Sequence, residues 1–99
     1  DSVRYKQVEY MLDKLGNIYD AVISGVTDWG IFVEETEAKI EGLVRLGSLG
    51  DDFYTYNEKK FALVGERTGK VYRLGDKVKV KLVGADLAKK TIDYEFVNE

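Results

Sequence analysis

The chain contains no cysteine and no histidine, one methionine, one tryptophan, and no apolar run approaching the ~20 residues of a membrane span. Each absence removes a class of function. Without cysteine there is no disulfide, no thiolate nucleophile and no zinc–thiolate site, a composition suited to the cytoplasm. Without histidine the usual general base at neutral pH and the commonest metal ligand are both missing. No signal-peptide pattern opens the chain and no membrane partner is indicated. The first residue is Asp1 and the only methionine is Met11, which suggests a piece of a longer protein whose chemistry lies elsewhere.

What remains is a composition for one folded domain. Ninety-nine residues, 44% of them apolar, can bury somewhat over ~60% of their unfolded surface without covalent staples. The net charge of −3 argues, taken alone, against a nucleic-acid partner. Its distribution argues the other way. Residues 1–58 hold five basic and twelve acidic side chains, whereas residues 59–90 hold ten basic and three acidic. Cations concentrated in one third of a chain point to a polyanion, with a solvated lysine-rich surface as the plainer explanation.

Periodicity divides the chain at residues 15 and 16. In "SVRYKQVEYMLDKLG" the apolar residues Tyr5, Val8, Leu12 and Leu15 fall at helical spacing, with Ser2 to cap the start and Gly16 to end it. Residues 1–15 are thus expected to form a linker helix of about three turns, and residues 16–97 a β domain. The first two strands are "NIYDAVISGVT", with a bulge at Ser24-Gly25, and "WGIFVEE". After the turn "ETEAK" come "IEGLVRL" and, later, the pair "VKVKLVGAD" and "KTIDYEFV". Five strands with no alternating helices predict an all-β fold, a five-stranded barrel of OB-fold size. Between strands three and four, "FYTY" and "FALV" flank the turn-like "NEKK" and predict an inserted β-hairpin, after which "ERTGKVYRLGD" returns to the barrel.

Two features carry chemistry. Lys77, Lys79 and Lys81 alternate with Val78, Val80 and Leu82, so the ammonium groups share one strand face, a rail for phosphates or simply a solvated surface. The aromatics Tyr19, Trp29, Phe32, Phe53, Tyr54, Tyr56, Phe61, Tyr72, Tyr94 and Phe96 exceed what a small barrel must bury, and faces that bind single strands combine rings with cations. Within "GVTDWGIFVEE", Trp29 and Phe32 are three apart. They share a face only if Gly30 marks a turn or bulge. Carboxylates at Glu34, Glu35, Glu37, Asp51 and Asp52 sit in turn-like contexts and are a weak magnesium signal. "GERTGK" lacks the spacing of a phosphate-binding loop.

In order along residues 15–97, "GNIYDAVISGVTDWGIFVE", "IEGLVRLGSL" and "RLGDKVKVKLVGAD" resemble the S1 RNA-binding domain, an OB-fold module. The long connector "DDFYTYNEKKFALVGERTGKVYRLGD" resembles that of the C-terminal S1 domain of ribonuclease R-type exoribonucleases. The resemblance implies single-stranded RNA as partner and a displayed stacking pair at Trp29 and Phe32, with Tyr19 extending it. It places Arg45 where the family commonly has histidine, and Asp86 and Lys90 on the family's acidic–basic pair. Lysine there keeps charge but lacks the bidentate fork of arginine. The resemblance further implies a parent exoribonuclease whose magnesium-dependent catalytic domain is absent here, no catalytic residue or cofactor in this fragment, and contacts with the parent's catalytic and other RNA-binding domains. A second reading stays open: an OB-fold module that docks on protein through the Tyr54/Tyr56 hairpin.

Overall fold

The computed structural model describes residues 2–49 and 53–97. The first element, α1 (Ser2–Met11), runs into a 3-10 turn at Leu12–Lys14. Gly16 follows with φ of +92°, the left-handed conformation expected at a helix end. Lys14 folds back over that end. Its ammonium donates to the Tyr10 carbonyl at 3.1 Å and to Asp13 at 3.0 Å, and lies 3.9 Å from the Tyr10 ring centroid. A cation thus sits among carbonyls that have no partner inside the helix.

The buried helix face differs from the expected one. Val8 and Met11 are fully buried, whereas Tyr5, Leu12 and Leu15 are exposed. Leu15, past the 3-10 turn, has left helical geometry at φ −57° and ψ 134°, and Tyr5 and Leu12 sit beside the buried stripe instead of on it. The inward stripe is Val8 and Met11, with Arg4 and Gln7 half-buried beside them. Ser2 is the first helical residue, and the expectation that its side chain caps the helix lies outside the described residues.

Among the described residues eight strands follow: β1 (Ile18–Val26), β2 (Gly30–Glu35), β3 (Glu41–Arg45), β4 (Tyr54–Asn57), β5 (Ala62–Gly65), β6 (Val71–Arg73), β7 (Lys77–Asp86) and β8 (Thr91–Phe96). Five of them close a barrel in the order β1-β2-β3-β8-β7, antiparallel except for the β3–β8 pair. This is the OB-fold barrel expected. Period-two patterning fills it: Ala21 and Ile23, Ile31 and Val33, Val44, Val80 and Leu82, Ile92 and Tyr94 all point inward and are buried. The β1–β2 register shifts between Ile23 and Gly25, so the bulge lies where the sequence placed it. There the Ile23 amide donates to the Asp76 carbonyl at 2.9 Å, and the Ile23 carbonyl accepts from Gly75 at 2.8 Å.

The β2–β3 turn is held by a buried carboxylate. Glu35 accepts hydrogen bonds from the amides of Glu37 (2.6 Å) and Ala38 (2.7 Å), which satisfies a charge that burial would otherwise penalise. Its role is structural. Asp51 and Asp52 lie outside the described residues.

The hairpin expected at "FYTY" and "FALV" is β4 and β5, and the returning segment adds β6 to make a three-stranded antiparallel sheet. Without β6, the second edge of β5 would be left unpaired. This sheet belongs to the same core as the barrel: Leu63 is fully buried in one cluster with Val80 and Leu82. The Tyr72 ring stacks on Phe96 of β8 (4.7 Å between centroids, 3° between planes), and Tyr54 leans on Tyr72 at 5.6 Å. The aromatic surplus is therefore largely absorbed by the domain itself. Tyr54, Tyr56, Tyr72 and Phe96 pack on the core and Tyr94 lies inside it, while Trp29, Phe53 and Phe61 are exposed. Tyr54 and Tyr56, the feature assigned to the protein-docking reading, are half-buried against their own domain's core.

Candidate nucleic-acid interface

The β1–β2 connection is organised by one hydroxyl. Thr27 Oγ1 accepts from the amides of Trp29 (3.3 Å) and Gly30 (3.0 Å) and donates to the Gly30 carbonyl at 2.7 Å. The Thr27 amide donates to the same carbonyl at 2.9 Å. Trp29 consequently sits in the turn, outside the alternation of β2. Gly30 opens β2 opposite Arg45, and a Cβ there would come within 2.9 Å of Leu43 and 3.0 Å of the Val44 carbonyl. Only glycine lets β3 approach this closely.

Phe32 is the next outward residue on β2, so the two rings meet despite their spacing of three. They pack edge to face, with centroids 5.5 Å apart and planes at 87°. Trp29 remains 56% exposed and Phe32 is half-buried. The pair is displayed, and it forms a right-angled corner in place of two parallel platforms.

Among the described residues four charged side chains border this corner: Arg45, Asp93, Arg4 and Glu41, whose Oε2 accepts from Ser24 Oγ at 2.7 Å. Arg45 projects outward from β3, 70% exposed, with Nε 3.5 Å from Asp93 Oδ1 on β8. Asp93 pairs across β3 with Leu43, which in turn pairs with Phe32, so these residues form one outward row. Arg4 comes from α1. Its Nε donates to the Lys90 carbonyl at 3.1 Å and its Nη1 to Gln7 Oε1 at 3.2 Å. Together Arg4, Trp29, Phe32, Leu43, Arg45 and Asp93 line a groove of about 250 Å³. Sequence reasoning missed Thr27, Asp93 and Arg4. Asp93 was legible as the outward residue between inward Ile92 and Tyr94. Arg4 carries no local signal, since only tertiary contact brings the helix here.

The other expected site residues fall elsewhere. Asp86 Oδ1 accepts the Lys89 amide at 3.0 Å and so ties the turn before β8. Lys90, at φ +56°, ends that turn with an exposed side chain. Neither lines the groove, although the next residue, Thr91, does. Tyr19 does not extend the platform. It shares the inward side of β1 with Ala21 and Ile23, is half-buried on the core, and lies six residues, roughly 20 Å, from Gly25, the partner of Phe32. Its hydroxyl accepts from Asn17 at 3.4 Å.

Lys77, Lys79 and Lys81 do share one exposed face, opposite Val22, Asp20 and Ile18 of β1. Lys77 and Lys79 line a second groove of about 840 Å³, which has no residue in common with the first. Barrel closure explains the separation. β7 borders β1 and β8, while the ring pair stands on β2 and the turn that leads into it, so the lysines and the rings occupy different faces.

Comparison with known proteins is consistent with this geometry. The family described as S1 RNA binding domain matches residues 12–95. Ribonuclease R of Thermotoga maritima is 43% identical over 99 residues, covering all of this chain and 14% of that protein. Ribonuclease R of Escherichia coli is 36% identical over 98 residues, or 99% of this chain and 12% of that protein. The chain thus spans about one seventh or less of these relatives. Among solved structures, Mycoplasma genitalium RNase R superimposes with a TM-score of 0.90 at 28% identity, over 97% of this chain and 15% of that one. The same values hold for that enzyme in complex with ribose-methylated single-stranded RNA.

Proposed function

This chain belongs to the S1 RNA-binding domain family, and from that premise we propose that it grips single-stranded RNA at the corner made by Trp29 and Phe32. One observation carries the assignment of the site: an exposed indole held at a right angle to a phenyl ring, beside the guanidinium of Arg45. Bases stack on exposed rings whatever their identity, so binding is tolerant of sequence, and Arg45 and Arg4 take phosphates. Lys90 adds charge from the adjoining turn, and Asp86 keeps that turn in shape. Superposition on an RNase R that was solved with single-stranded RNA supports this reading.

The parent protein is a ribonuclease R-type exoribonuclease of the cytoplasm. Identity of 36–43% to two bacterial ribonucleases R supports that assignment. This chain binds RNA without a cofactor and passes the strand to the parent's catalytic and other RNA-binding domains, where the magnesium-dependent cleavage resides. Trp29 is the chain's only tryptophan, so its fluorescence reports directly on the site. Titration with oligo(U) is expected to quench it. Replacing Trp29 with alanine is expected to weaken binding, measured by anisotropy of labelled RNA, by about 1–3 kcal/mol, or roughly 5- to 150-fold. Because the indole is exposed, the far-UV spectrum stays unchanged. Unaltered RNA affinity in that variant would overturn the assignment.

A further inference from the structure

The geometry points to a second contact for the same RNA strand, in the groove between β1, β7 and the inserted sheet. It rests on the RNA reading and goes beyond it, because no residue of this groove belongs to the ring corner. The groove has an apolar floor that includes Val22, Tyr72 and Phe96 and a cationic rim of Lys70, Lys77 and Lys79. Tyr72 and Phe96 are already stacked on one another, so their planes are fixed before any ligand arrives. Rings beside several cations are the combination that tracks a single-stranded backbone.

Charge selects the occupant. Among the described residues Asp20 is the one acidic side chain lining the groove, and it stands directly opposite Lys79 in the β1–β7 register. The rim therefore keeps a net positive charge although the whole chain carries −3. A phosphodiester chain fits that rim, and each of its nucleotides brings both a charge for the lysines and a flat base for the floor. Lys70 and Tyr72 come from the inserted segment, which gives it a task in binding as well as in the core. In this arrangement a short strand occupies the Trp29 corner alone. A longer strand continues round the barrel into the lysine groove, so affinity rises with length. OB folds hold roughly 4–16 nucleotides, which sets the lengths to compare.

The test uses this 99-residue chain, oligo(U) of 4 and 16 nucleotides, and the double variant Lys70→Gln/Lys77→Gln. Both lysines are on the surface, and Lys79 is left in place because it faces Asp20. The variant is expected to quench with the 4-mer like the parent chain and to lose most of the affinity gained with the 16-mer. Between 50 and 200 mM salt, the affinity of the variant for the 16-mer is expected to fall about 7-fold less than that of the parent chain, from a slope of about 0.7 per phosphate for two phosphates. A length-dependent gain and salt slope that survive the double substitution, with 4-mer quenching intact, would overturn the second contact and leave the first standing. If the parent chain binds neither oligonucleotide, both readings fall together. An acidic peptide that competes as well as the 16-mer for the groove would assign it to a protein.

Discussion

Thr27 touches no RNA in the proposed arrangement, yet the position of the indole depends on it. Its hydroxyl satisfies two turn amides and one carbonyl, and it keeps Trp29 out of the strand's alternation. Replacement by valine preserves shape and removes all three bonds; the Gly30 carbonyl keeps the Thr27 amide, and the part-buried Gly30 amide is left unpaired at a cost of about 1–3 kcal/mol. We expect Thr27→Val to lower RNA affinity with a gain in rotational freedom of Trp29, seen as reduced fluorescence anisotropy of the free protein. Thr27→Ser restores both. An affinity loss at unchanged indole mobility would mean that Thr27 acts in some way other than positioning.

At the scale of elements, α1 is anchored in the core by two buried side chains, beside the Arg4 hydrogen bond to the Lys90 carbonyl. Met11 is 1% exposed and Val8 fully buried, whereas Leu12, next in sequence, is 36% exposed. Met11→Ala is expected to cost about 2–5 kcal/mol in urea unfolding, and Leu12→Ala less than about 0.5 kcal/mol. Equal effects would mean that the helix docks through the face extrapolated from Tyr5. The helix also delivers Arg4 to the ring groove, so loosening it by Met11→Ala should weaken RNA binding as well as stability. The inserted sheet is coupled in the same way through Leu63 and the Tyr72–Phe96 stack, which makes the connector a built part of the fold.

The whole molecule shares one core, and its stability responds to pH through a group inside it. The Tyr94 hydroxyl donates to the Ile40 carbonyl at 3.3 Å, joining β8 to the end of the β2–β3 turn. Burial first, and then the nearby Glu35 carboxylate, push the phenol's pKa well above its ordinary value. In the unfolded chain a tyrosine ionises near about 10, so above that pH the unfolded state sheds its proton while the folded state keeps it. Stability from this group is complete below pH 10 and falls by roughly 1.4 kcal/mol for each further pH unit until the folded phenol itself ionises. Chemical denaturation at pH 9 and pH 11 should show this loss, and Tyr94→Phe should abolish that part of it. An identical alkaline slope in the phenylalanine variant would assign the loss to other groups.

Period-two patterning, turn residues and the bulge at Ser24-Gly25 made the barrel readable from the amino-acid order, because alternation on a pleated strand is a local property. The outward direction of Lys77, Lys79 and Lys81 followed from the same rule. The ring pair was legible as a question, and Thr27 and Gly30 answered it through contacts a few residues away. What alternation along one strand cannot reveal is which strands become neighbours. Barrel closure put β2 beside β3 and β7 beside β1 and β8, and that separated the lysines from the rings, whereas Tyr19 faces inward by the same alternation as Ala21 and Ile23. Closure also brought Arg4 and Asp93 to the corner from opposite ends of the chain. Local order therefore determined the elements and their faces, while long-range strand pairing decided which faces meet.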